Sequence, residues 1–467
     1  MGVILFFDDW PLCYAENVRR VMGKPKWVPE ATLEDVLTEG TWNFPFVWFD
    51  KKDRLWKAIY CAAVPDGERR PEGWFPRKQG LMYAESNDGI AWQRPDVSSR
   101  RDPSGVYVAP NQVFGTPDHI DGAPVFLDEH DPDPKRRFKY LFCAHGKKVQ
   151  GLATSPDGIF WTIDTSVTMG DYTLDSPITG YYNHVRDSYC ISRRLHCGDR
   201  RVALFETKDW KNFSMPEIVM HPDAEDPPLM QFYGMPVYRY ENMYLGLLWR
   251  LHCHPTEELV HKGNVGGPLD CALAYSFDGW HFFRATHAPL IPVNERGEHG
   301  GGCIYTGAMT VGEDNIIRFY SGGSKAEHFQ DQTLSDAALM LHTMRLDGFF
   351  RLESYVTKAK IMTRSVVFTG ERLMLNVRAP HGRVRVEICE NDGTPVSGYT
   401  FDECIPFTGD ELFWQVKWRS KTTAALVSGR RYHIAVELMS AELYAIRGDI
   451  DMVYGSGHEH VPLRYRI

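Results

Sequence analysis

Seven residues, "SNDGIAW" at 86–92, recur along this chain as "SPDGIFW" at 155–161 and "SFDGWHF" at 276–282. Two looser copies, "TKDWKNF" at 207–213 and "RLDGFFR" at 345–351, complete the series. The copies start roughly 69, 52, 69 and 69 residues apart. Five units of that length, each with room for about four strands, predict a five-bladed β-propeller. Each copy follows a strand-like stretch such as "GLMYAE" or "CALAY", so it reads as a turn between the outer strands of a blade. Asp and Gly supply side-chain-to-backbone hydrogen bonds and a left-handed residue, and the closing aromatic returns to the sheet. Copies spread around a periphery cannot share one active site, so the repeated aspartate marks architecture.

The sequence between the turns alternates apolar and polar residues. Examples are "RLWKAIYCA" (54–62), "RFKYLFCAH" (137–145), "NMYLGLLWR" (242–250) and "IIRFYSGG" (316–323), each bounded by turn formers. One short helix is expected around 31–37. The texture changes after 351: "SVVFTGERLMLNVRAPHGRVRVEICENDGTPVSGY" (365–399) alternates cleanly and predicts an antiparallel β-sandwich. At 467 residues the chain exceeds one core, and two domains are expected, an all-β propeller over 1–351 and a sandwich with a C-terminal tail over 352–467.

A net charge of −9 and the lack of a long basic block exclude nucleic acid as the main partner. The densest basic run, "DPKRRFK" (133–139), reads as a solvated turn entering a strand. No apolar stretch reaches membrane-spanning length. "MGVILFFDDW" carries no positively charged leader before its apolar run, and the ten cysteines hold no C-x-x-C pair. Reduced thiols and a cytoplasmic location follow as expectations.

A family resemblance rests on the order of "LFFDDWPL", "GLMYAESNDGIAWQRP", "DPDPKRRFKYLF", "GLATSPDGIFW", "QFYGMPVYRYENMYLGLLW" and "LAYSFDGWHFFRA". The chain resembles the glycoside hydrolase family 32-like proteins of the five-bladed arabinanase, levansucrase and invertase superfamily. "RLMLNVRAPHGRVRVEICENDGTPVSGYTFDEC" is similar to the C-terminal domain of the same group. The resemblance implies a carbohydrate-active propeller acting on an oligosaccharide or glycoside. It does not imply fructofuranosidase activity. "FFDDWP" lacks the W-x-N-D-P-N-G context, "VRDSY" has Arg-Asp without Pro, and Glu-Cys of "DECIP" falls in the sandwich.

Propeller ligands bind over the central channel, where the innermost strands begin. Those starts are placed at 41–49, 121–128, 175–183, 231–239 and 299–309. Carboxylates there are Asp121, Asp175 and Glu298, with Glu39 and Asp226 just upstream. Glycoside hydrolysis needs an acid for the leaving oxygen and a base or nucleophile across the ring. Glu298 is assigned as acid, with Asp175 or Asp121 opposite. Sugar contacts are assigned to Trp42, Tyr233, Trp249, Arg250 and His299, and Asp9 in "FFDDW" is a further binding candidate. Two alternatives stand beside hydrolysis. Phosphorolysis would draw on Arg193, Arg194 and Arg250 to hold phosphate, and a catalytically silent sugar-binding propeller would need no acid pair. No cofactor motif is present. His252 and His254 have a metal-compatible spacing but no third ligand, and a channel Ca²⁺ has no residue pattern calling for it.

Overall fold

The computed structural model describes residues 2–39, 44–65, 77–116, 120–122, 124–144, 149–164, 167, 175–196, 199–254, 266–328, 336–419, 421–427 and 429–453. Strands dominate, and the described residues contain no helix long and apolar enough to cross a membrane. The chain divides into two compact units, Pro25–Met344 and Met1–Lys24 with Arg345–Ile467.

Pro25–Met344 is built from four sheets, of which the last, ten-stranded, carries both the fourth and the fifth blade. Alternating sequence and short turns let each consecutive set of strands pair with its neighbours. The first blade joins Phe46–Asp50, Leu55–Pro65 and Arg77–Ser86, with Trp92–Gln93 and Gln112–Phe114 at its edge. The second runs from Ile120–Gly122 and Phe126–Leu127 through Phe138–Ala144 and Val149–Ser155 to Thr162–Asp164. The third is Asp175–Asn183, Ser188–His196, Arg200–Thr207 and Glu217–Met220. Met230–Gly234 and Val237–Tyr240 begin the fourth, followed by Met243–His252, Leu269–Ser276 and Phe283–Arg284. A parallel bridge, Leu269 to Cys303, leads into the fifth, made of Cys303–Val311, Ile316–Ser324 and Asp336–Arg345. Its outer strands, Lys26–Trp27 and Leu33–Glu39, come from ahead of the first blade.

Contacts between neighbouring blades close the ring. Trp48 meets Phe138 at 4.9 Å, and Phe126 stacks on Trp210 at 6.4 Å. Tyr181 donates to the Gly279 carbonyl at 2.6 Å, the Trp249 indole to Thr306 O at 3.0 Å, and Tyr320 to Gly89 O at 3.1 Å. The repeated turns take part in these seams. Copies 86–92, 155–161, 207–213 and 276–282 each lie against the preceding blade, the first of them against the fifth.

Three expectations are corrected. Residues 31–37 are not helical: a 3-10 turn at Pro29–Ala31 leads into strand Leu33–Glu39, because pairing with the open edge of the fifth blade outweighs local preference. The first 24 residues do not belong with the propeller. Gly2–Ile4 pairs with Ala441–Met452, Leu12–Glu16 with Ala359–Thr363, and Arg19–Met22 with Phe350–Ser354. Finally, the copy at 345–351 is not a blade turn. It opens the second unit, where Asp347 is buried in an ion pair with Arg447 and accepts from Asn376 at 3.1 Å.

That second unit is a nine-stranded antiparallel-rich sheet system wrapped on an aliphatic core including Ile361, Leu375, Val377, Val386, Ile388, Val436 and Leu443. Its long strand, Val366–Glu390, changes partners along its length.

Candidate active site

In an antiparallel blade the first and third strands start, and the second ends, at the same edge. The innermost strands therefore begin at one end of the propeller, and the repeated Asp-Gly turns lie at the other. Four aspartates in those turns share one geometry. Asp88 Oδ1 accepts from the N–H groups of Ile90 and Ala91, Asp157 from Ile159 and Phe160, Asp209 from Lys211 and Asn212, and Asp278 from Trp280 and His281. They are turn caps. The Ala91 and Ile90 N–H groups hold Asp88 below the usual carboxylate range.

At the opposite end, Asp121 is the second residue of Ile120–Gly122 and Asp175 the first of Asp175–Asn183. These innermost strands belong to adjacent blades and lie against each other. The side chains of Asp121 and Asp175, and of Glu39, fall outside the described residues, as does all of Trp42. Glu298 sits exposed on the turn leading into the fifth blade, where its N–H donates to Glu295 O and its carbonyl accepts from Gly301. Next to it, His299 Nε2 lies 3.6 Å from a carboxylate oxygen of Glu34 on the blade-closing strand.

Two of the aromatic candidates, Trp249 and Tyr233, belong to one cluster of rings. Phe44 stacks on Trp249 with centroids 5.3 Å apart, and both meet Tyr305 edge-on. Tyr305 Oη is 3.4 Å from His328 Nδ1, and the His328 ring meets Tyr233 edge-on at 4.8 Å. Such edge and stacked pairs contribute about 0.5–1.5 kcal/mol each, so blades one, four and five are tied together here. Trp249 has no exposed surface, which corrects its assignment as a sugar contact. Tyr233 is also largely covered.

Arg250 is corrected as well. Its Nε and Nη2 donate to the two oxygens of Asp270, both at 2.8 Å, and Nη1 donates to the carbonyl of His287. A guanidinium held on both faces of its fork is not available to bind phosphate. Arg193 is buried with its guanidinium over the Phe205 ring, and the Arg194 side chain lies outside the described residues. Burial pushes the Asp270 carboxyl up, but His252 and Arg250 outweigh it and hold it below its ordinary value. Asp9 belongs to the other unit and forms an ion pair with Arg20.

The histidine pair does not converge on one point: His252 Nε2 meets Asp270 at 2.9 Å, whereas His254 Nε2 meets Glu327 at 2.6 Å. A cluster that the sequence did not reveal, Asp223, Asp226 and His287, has ligand atoms close enough for a cation. Arg284 already bridges both carboxylates, however, and Asp226 is buried against it. Asp270 was also missed; its signal is the i, i+2 spacing of Arg250 and His252 facing the start of "DCALAY".

No family model and no curated protein matches this sequence. Among solved structures, the chain is similar to a β-1,2-mannobiose phosphorylase from Listeria innocua in complex with β-1,2-mannobiose, at 12% identity over 72% of this chain and 98% of that one, TM-score 0.47. It is similar to a glycosyl hydrolase from Bacteroides ovatus, at 12% identity over 70% and 94%, TM-score 0.45. It is also similar to a family 32 β-fructofuranosidase of Bombyx mori, at 11% identity over 91% and 94%, TM-score 0.42.

Proposed function

We propose that this chain hydrolyses glycosidic bonds, with Asp121 and Asp175 as its working carboxylates. The observation that carries the reading is their placement at the same end of the innermost strands of adjacent blades. Two carboxyl-bearing residues at one end of adjacent innermost strands can divide the work of protonating the leaving oxygen and supplying a base or nucleophile. Glu298 lies exposed on the turn leading into the fifth blade. Its exposure means that a role as general acid requires the bound glycan to exclude water around it.

The test is a screen of the purified chain against aryl glycosides and oligosaccharides, with and without phosphate. Asp121→Asn and Asp175→Asn are each expected to lower turnover by about 10²–10⁴-fold. Full activity in both variants overturns the assignment. Turnover that requires phosphate points to phosphorolysis, and binding without turnover to the silent propeller.

A further inference from the structure

His252 closes the second strand of the fourth blade, one strand out from Met230 at the start of the innermost one. It stands at the end where the candidate carboxylates lie. Its Nε2 is 2.9 Å from Asp270 Oδ2. An ionised carboxylate only accepts, so Nε2 is the ring nitrogen that donates to it, and Nδ1 is the acceptor of that Nε2–H tautomer. The imidazole is 33% exposed, and Nδ1 has no hydrogen-bond partner among the described residues.

Asp270 is held by Arg250 as well as by this histidine. Arg250 already neutralises it through two 2.8 Å hydrogen bonds, and Arg250 is itself completed by the His287 carbonyl. A buried arginine–carboxylate pair is in turn poor at stabilising a fold compared with apolar residues of similar volume. What the arrangement does achieve is orientation. A rigid, charge-balanced carboxylate fixes both the tautomer and the plane of a half-exposed ring, as a carboxylate does behind many functional imidazoles.

We propose that His252 is a substrate-binding residue whose Nδ1 accepts a hydrogen bond from a sugar hydroxyl in an outer subsite over the fourth blade, with Asp270 as its positioning residue. The inference rests on the glycoside-cleaving reading above. It assigns the fourth blade a subsite for a neutral, hydroxyl-bearing ring: the guanidiniums of Arg250 and Arg284 are occupied by Asp270, Asp223 and Asp226, and Arg200 donates to Gln231.

The experiment uses the whole chain and the 4-nitrophenyl glycoside or oligosaccharide that it turns over. His252→Gln keeps a donor for Asp270 and removes the Nδ1 acceptor. It is expected to raise KM about five- to tenfold, leave kcat within about twofold and leave the thermal midpoint unchanged. Nitrogen-15 spectra of the wild-type imidazoles are expected to show His252 protonated at Nε2, with its Nδ1 resonance shifting when the glycoside is added. An unchanged KM, a ring protonated at Nδ1, or an Nδ1 resonance blind to the glycoside overturns this inference alone. Absence of turnover of every glycoside by the wild-type chain overturns the reading of the function and this inference with it. The spectra decide the matter if the glutamine variant fails to fold.

Discussion

Asp88 and Asp278 look like functional residues because they recur, and their hydrogen bonds show why they recur. Each organises a turn that is pressed against the neighbouring blade. Asp88→Ala is expected to cost ~1 kcal/mol in urea unfolding while leaving glycoside turnover per folded molecule unchanged; a large loss of kcat would show that the turn does chemistry after all. A second device repeats at the turn between first and second strands, and the sequence hid it. Lys57 reaches Asp50 and Asp53, Arg318 reaches Asp314, and Lys139 reaches Asp128 and Asp131. Lys139 is fully buried, and its ammonium spends all three donors, on Asp128 (2.6 Å), Asp131 (2.8 Å) and the Arg136 carbonyl (2.8 Å). The run "DPKRRFK" thus ends in the core rather than in solvent. Lys139→Ala strands a buried carboxylate and is expected to lose about 3–5 kcal/mol, read as a fall in the urea midpoint.

Among the elements, the strand pair that closes the fifth blade carries a built-in acid sensitivity. His342, on Asp336–Arg345, is paired with Trp27 of the closing strand Lys26–Trp27 and is almost wholly buried. Burial alone brings its pKa down from 6.5 to about 4. The unfolded chain therefore binds a proton that the folded one refuses. Its contribution is complete above pH ~6.5 and fades as pH falls towards ~4, by about 3 kcal/mol in total. His342→Leu is expected to flatten the stability–pH curve between those values, and an unchanged slope would refute the argument. The closing strand itself was illegible locally. "ATLEDVL" has no alternation that separates strand from helix, and its partner lies some three hundred residues away in sequence. The strands within each blade were legible because their partners are next in sequence and their patterns repeat. The Arg250–Asp270 pair was not, since its members meet only when two strands fall into register.

For the whole molecule, the division of the chain differs from a boundary drawn where the sequence texture changes. A fragment ending at 351 would retain Gly2–Ile4 and Leu12–Glu16 without the strands they pair with. Exposed strand edges of that kind invite association. Residues 25–344 retain every strand of the five blades apart from the last residue of Asp336–Arg345. The longer fragment is expected to aggregate and the shorter one to remain monomeric, as read by size-exclusion chromatography; the reverse order would restore the simpler boundary. Four of the five turns mark blades, and the fifth copy serves another unit. Its Asp347 keeps the motif's letters but is turned inward to Arg447, a difference that no spacing rule reveals.

The crossing of the first strands into the last unit has a consequence for how the chain is born. Gly2 faces Gly448 and Ile4 faces Ile446, so the first strand leaves the ribosome well over four hundred residues before its partner. At about 5–20 residues per second that is a wait of roughly 20–90 s. For that interval "GVILFF" is an apolar stretch whose strand partner has not yet been made.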